Sequence, residues 1–128
     1  MERQTKAMTI AGWALAILIV GMLTFSAAMK FLSPKEMVEE FGRLGYPEGL
    51  AVCIGVAELA SAVLFLIPRT AVLGAVLLTG YLGGAIATHV RLEENFAGPA
   101  IGGVLVWLAL FLREPRVRAI LPIVTLAR

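Results

Sequence analysis

Residues 8–29 run for 22 positions without a single charge. A helix needs roughly 20 such residues to cross the hydrocarbon core of a bilayer. Arg3 and Lys6 precede the run and Lys30 follows it. A cleaved signal peptide is the rival reading, because Ser26, Ala27 and Ala28 are small enough for a cleavage site. Signal cores, however, are about 7–15 residues long, so a retained spanning helix is expected here. Three further apolar runs follow, at residues 49–67, 70–88 and 96–112. Hydrophobic residues make up 59% of the chain and charged ones 16%, against about 45–50% and about 25% in soluble domains. A soluble domain this small has too little interior to hide so much apolar surface. The pattern therefore predicts an all-α integral membrane protein. It would be one domain over residues 1–128, a four-helix bundle with spans at 8–29, 49–67, 70–88 and 96–112. Spanning strands would show alternation over about ten residues, which these unbroken runs lack.

Residues 33–45, SPKEMVEEFGRLG, differ in kind. Ser33 is placed to cap a helix, with Pro34 at its first position and Glu36 three residues on. Met37, Val38, Phe41 and Leu44 share one face, charged residues take the rest, and Gly45 is a stop signal. This reads as a short amphipathic helix lying at the membrane surface between the first two spans. Tyr46 and Pro47 then turn the chain back, with Tyr46 suited to the headgroup level. The tail holds a brief apolar patch, residues 119–124, that also suits a surface position. Lysines and arginines number seven on the side of the N-terminus, the loop at Arg69 and the tail, against four on the other side. By the positive-inside rule the N- and C-termini are cytoplasmic, in what reads as a bacterial inner membrane.

The net charge of +2 comes without a basic stretch, so no nucleic-acid partner is expected. The lone cysteine, Cys53, reads as a small buried apolar residue; it cannot form an intrachain disulfide, and no zinc site is expected. No catalytic group, metal-ligand cluster or nucleotide-binding loop is evident.

The most informative residue is Glu58, about ten residues into the second span. At about 1.5 Å per residue it lies about 15 Å deep, where a charge costs several kcal/mol and must face the protein interior. It serves either a proton or quinone contact, or a hydrogen bond that locks two helices together. Antiparallel packing of the second and third spans brings Tyr81 to the same depth as a partner, with Ser61 and Thr79 as other polar neighbours. Lys30 and His89 end the first and third spans on the same side. They either line a polar pocket that could hold a quinone head, or Lys30 snorkels to the interface and His89 marks a helix end. Gly80-x-x-x-Gly84 and Gly98-x-x-x-Gly102 have the spacing that lets membrane helices approach closely, within one chain or between two copies in a homo-oligomer. Trp13 and Trp107 read as lipid-facing or interfacial anchors.

Taken in order, several short elements resemble the DoxX-like family of small membrane proteins. They are FSAAMKFL at residues 25–32, LGYP at 44–47, the stretch 58–69 that opens on Glu58 and ends IPR, and GGAIATH at 83–89. The resemblance runs over residues 25–112 and implies a four-helix membrane bundle. The family's namesake is a membrane subunit associated with a thiosulfate:quinone oxidoreductase, and relatives are linked to redox complexes or oxidative stress. Carried over, the positions to test are Lys30, Glu58 and His89. The chain shows no cofactor motif of its own, so the expectation is a noncatalytic accessory subunit beside membrane redox enzyme subunits, with quinone as its ligand. A small proton-coupled carrier titrating at Glu58 is one alternative. A structural helix bundle without a ligand is the other.

Overall fold

The computed structural model describes residues 4–47 and 49–121. Arg3, Glu48 and Arg128, and the tail patch from residue 122 onward, lie outside the described residues. Six helices follow one another: α1 (Lys6–Leu32), α2 (Pro34–Leu44), α3 (Leu50–Leu66), α4 (Ala71–Arg91), α5 (Ala97–Arg113) and α6 (Pro115–Ile120). No strand occurs among the described residues. At 27 and 21 residues, α1 and α4 are long and apolar enough to cross a membrane, while α3 and α5 are apolar helices of 17 residues.

α1 packs along α3 and α5, and α4 packs along the same two helices. The four thus surround one core, built from Ala16, Ile19, Phe65, Ala75, Leu78, Val106, Ala109 and Leu110. Small residues let the backbones close in. A Cβ added to Gly74 would stand 2.2 Å from the Phe65 backbone nitrogen, and one added to Gly12 would stand 2.6 Å from the Arg113 nitrogen. The spacing rule pointed elsewhere. Within the chain, Gly80, Gly84 and Gly98 meet nothing within 4 Å, and Gly102 meets only Leu82 at ordinary contact distance. Small residues permit close approach only on the face turned to a neighbouring helix, and these four lie off the tight crossings.

The outer surface is apolar. On α1 alone, Ile10, Ile17, Leu18, Met22 and Phe25 are each more than half exposed. Side chains of this kind scattered singly are ordinary in water, but a continuous face of them calls for lipid or a partner. Cys53 also lies on the outer face of α3, exposed rather than buried.

Both tryptophans do more than anchor. The indole N–H of Trp107 donates to Thr79 Oγ1 at 2.8 Å, joining α5 to α4. The Arg113 guanidinium stands 4.5 Å from the Trp13 ring centroid and 4.7 Å from that of Phe65, and it donates to the Phe65 carbonyl. Arg113 is therefore not a free topogenic charge of the tail. It is 7% exposed and clamps α1, α3 and α5 by cation–π contacts on both faces. Nearby, Gln4 Nε2 donates to the Leu112 carbonyl at 2.8 Å and Arg118 donates to Gln4 Oε1, closing the same end of the molecule.

Candidate functional site

Glu58 comes to lie inside because α3 carries a column of buried residues at Ala51, Gly55, Glu58 and Ala62, all on the face turned inward. α1 approaches that face closely. A Cβ on Gly55 would stand 3.3 Å from Lys30 Cβ and 3.1 Å from the Phe31 ring. The Lys30 side chain runs back toward the N-terminal end of α1, the direction in which helical Cα–Cβ bonds tilt. Its Nζ lies 2.9 Å from Glu58 Oε2 and 2.7 Å from Ser26 Oγ. The pair is almost sealed, with side-chain exposures of 11% for Lys30 and 1% for Glu58.

The direct partner of Glu58 is thus Lys30. Tyr81 stands beside Glu58 and Ser26 as a third member of the cluster. The hydroxyls of Ser61 and Thr79 are engaged locally: each donates to its own i−4 carbonyl, Ala57 and Ala75, at 2.7 Å. Lys30 does not snorkel outward, because Glu58 draws its ammonium inward.

Next to this pair is a cavity of about 600 Å³. α1 lines it with Phe25 and Met29, and with Ser26 and Lys30. α4 lines it with Gly80, Gly84 and Thr88, and with Tyr81, Ala85 and His89. Each set is a column at spacing i, i+4, so the wall follows directly from helical periodicity. Lys30, Tyr81 and His89 therefore open on one space, and Glu58 sits behind Lys30. His89 Nδ1 lies 2.7 Å from the Ala85 carbonyl. A carbonyl only accepts, so Nδ1 carries the proton and Nε2 remains available.

α2 roofs the cavity with Met37, Phe41 and Leu44, while Val38 is turned outward, half exposed. Its apolar face covers the protein's own cavity. Ser33 makes no side-chain cap, because its backbone N–H ends α1 by donating to Met29 O and its ψ of 59° is not extended. The other end is better defined. Gly45 is left-handed (φ 84°), its N–H donates to Gly42 O, and the Tyr46 N–H donates to Phe41 O at 2.8 Å. This is a Schellman stop with its hydrophobic contact, the Tyr46 and Phe41 rings being 5.8 Å apart. It aims the Tyr46 hydroxyl at Thr88 Oγ1, 2.5 Å away.

Two arginines tie the roof down. Arg43 pairs with both Glu40 and Glu94, and Arg91 donates to the Leu44 carbonyl. The hydrogen bond from Arg43 holds the Glu40 carboxyl below its ordinary range, and Glu40 in turn raises Arg43. A depressed carboxyl adds stability above its unfolded pKa and loses it as pH falls through the folded value. The roof is therefore expected to loosen below about pH 4. Arg43→Ala should produce the same loosening at neutral pH, read as faster amide exchange across α2 with α3–α5 unchanged. Equal exchange in wild type and variant would show that the ion pairs do not hold α2.

The DoxX-like family model matches residues 14–112. The chain belongs to the DoxX-like family. The matched segment runs from α1 into α5 and contains Lys30, Glu58, Tyr81 and His89. Comparison with curated proteins and with solved structures returns no match. Family membership and the two long apolar helices together make this a DoxX-like membrane protein.

Four residues of the DoxX-like site escaped sequence reasoning: Ser26, Tyr46, Thr88 and Arg43. The Phe41–Tyr46 spacing around Gly45 is a readable Schellman signal. Ser26 sits i−4 from Lys30 on the same face, which is also readable. Nothing local marks Arg43 as the partner of Glu94, since that contact spans 51 residues of sequence.

Proposed function

We propose that this DoxX-like protein is a noncatalytic accessory subunit of a quinone-linked redox system. In this reading it is a four-helix bundle crossing a bacterial inner membrane, with both termini cytoplasmic. The carrying observation is a charged, hydrogen-bonded Lys30–Glu58 pair at the edge of a mainly apolar cavity. Intramembrane ionisable residues generally mark ligand or proton paths.

The donor set fits a quinone head, whose two carbonyls can only accept. Lys30 has three N–H donors. Glu58 and Ser26 Oγ take two, and the third is held only weakly by the Ser26 carbonyl, 3.5 Å from Nζ. Tyr81 and His89 stand in the same wall. The cavity volume lies within the roughly 300–1,000 Å³ usual for small-molecule sites. A bound quinone takes up two electrons and two protons when a partner enzyme reduces it. Lys30 would orient the head, and Glu58 would hold Lys30 in place and exchange a proton with it. The orientation is supported by the Lys and Arg count in the sequence: with buried Arg113 set aside, Arg3, Lys6, Arg69, Arg116, Arg118 and Arg128 on one side outnumber Lys30, Lys35, Arg43 and Arg91 on the other, and cytoplasmic sides carry the excess.

The test is to purify the protein in mild detergent and assay extracted lipid for quinone. Wild type should retain it, and Glu58→Gln should retain about tenfold less or lower, as expected for weakening one charge-assisted hydrogen bond. No quinone in either protein would sink this reading. Proton flux into liposomes without bound quinone would replace it with a carrier.

A further inference from the structure

The cavity wall has two layers, and they differ in chemistry. Its inner columns are polar or half-buried: Ser26 and Lys30 on α1, Tyr81 and His89 on α4. Its outer edge is apolar and open. Phe25 is 70% exposed, and Gly80 and Gly84 are exposed with nothing within 4 Å of where a Cβ would stand. No residue of α5 lines the cavity, although α5 packs on both α1 and α4 elsewhere. At one end α2 covers it, held by Arg43, Arg91 and the Tyr46–Thr88 contact.

We propose that Phe25, Gly80 and Gly84 frame a side mouth, opening between α1 and α4 into the bilayer, through which the hydrocarbon tail of a membrane-borne amphiphile passes while its head lies against Lys30 and Tyr81. This rests on the reading of the cavity as a ligand site and specifies how the ligand arrives: from lipid, tail outward. The Gly80-x-x-x-Gly84 pair then has a definite task. Side chains at these positions would fill the mouth, whereas glycine leaves a slot about one helical turn long. The pair is a passage for a chain of methylenes rather than a seam between helices. The same layout explains why the roof can be strapped shut without isolating the site.

The probe is a long-chain amphiphile with a carbonyl head and a photoactivatable diazirine in its tail. It is added to liposomes containing wild type, Gly84→Leu or Gly98→Leu. Gly98 is equally open but lies on α5, away from the cavity, so its variant controls for added bulk. Labelling of wild type and Gly98→Leu should map to the mouth, and Gly84→Leu should lose it by about tenfold, the effect of filling the passage with a bulky side chain. Both variants should melt at or slightly above wild type, because a Cβ at either position meets nothing within 4 Å and leucine suits a helix better than glycine. Equal labelling of Gly84→Leu and wild type would overturn the proposal. So would a change from dimer to monomer in Gly84→Leu with labelling intact, which would make the glycines a seam between copies. Excess polyprenyl quinone separates the two readings. Mouth labelling that Gly84→Leu abolishes but quinone does not displace supports the side mouth and removes quinone as its ligand.

Discussion

Lys30→Met should cost the protein about 3–5 kcal/mol of stability, the penalty for removing one partner of a buried ion pair. Its side chain is 11% exposed, and that of Glu58 is 1% exposed. The variant leaves a carboxylate in the bundle interior with no counter-charge, in a setting where even insertion scales charge about 2.5–3.5 kcal/mol for an acidic group. The favourable attraction is not the main quantity at stake, since pairs of this kind roughly balance their own desolvation. What matters is that the cost of burying Glu58 remains after its compensation has gone. The double variant Lys30→Met/Glu58→Gln removes both charges and should recover more than half of the loss. Glu58→Gln alone keeps an acceptor for Lys30 and should fall between the two. Chemical unfolding in mixed micelles gives all three values. Additive losses, or a Lys30→Met loss under about 1 kcal/mol, would mean that Lys30 does not compensate Glu58. A loss of quinone without a loss of stability would separate binding from packing at the same residue.

That pair also shows where sequence reading reaches its limit. Glu58 stands out in an apolar run, so its inward orientation and its need for a partner could be read directly. The identity of the partner could not. Position along the chain puts Tyr81 at the depth of Glu58 and Lys30 at the end of the first span. A lysine side chain is long, and in a helix it leans toward the N-terminus, so Lys30 reaches back to the level of Ser26. Tyr81 does neighbour Glu58, but as the third member of the group. The amphipathic helix was similarly legible in extent, at residues 33–45 against Pro34–Leu44. The surface it covers depends on Arg43–Glu94 and Tyr46–Thr88, contacts 51 and 42 residues apart in sequence. Periodicity is local and reports which face of a helix is apolar, not what lies against that face. Arg113 makes the same point, because a tail arginine looks like a topogenic charge until Trp13 and Phe65 are brought to either side of it.

Gly74→Ala should be the most damaging of the conservative substitutions, although Gly74 belongs to no Gly-x-x-x-Gly pair. Alanine normally improves a helix interior over glycine by about 0.5–1 kcal/mol. At Gly80, where a Cβ meets nothing within 4 Å, that gain should appear as a neutral or slightly raised melting temperature. At Gly74 the sign reverses. The new methyl would stand 2.2 Å from Phe65 N, 2.5 Å from Phe65 Cα and 2.7 Å from Leu64 C. These are backbone atoms of α3, and no side-chain rotamer can relieve the clash. Relief requires α4 to move away from α3 as a body. Phe65 is fully buried, its carbonyl accepts from Arg113, and its ring forms one side of the Arg113 clamp. Displacing it loosens the clamp and, through Trp13, the α1–α5 contact as well. The loss should therefore exceed the roughly 1–3 kcal/mol typical of overpacking. Unfolding of the two alanine variants side by side in one detergent measures the contrast. If Gly74→Ala matched Gly80→Ala, the α3–α4 crossing would have to be looser than 2.2 Å allows, and the link from Gly74 through Phe65 to Arg113 would fail with it.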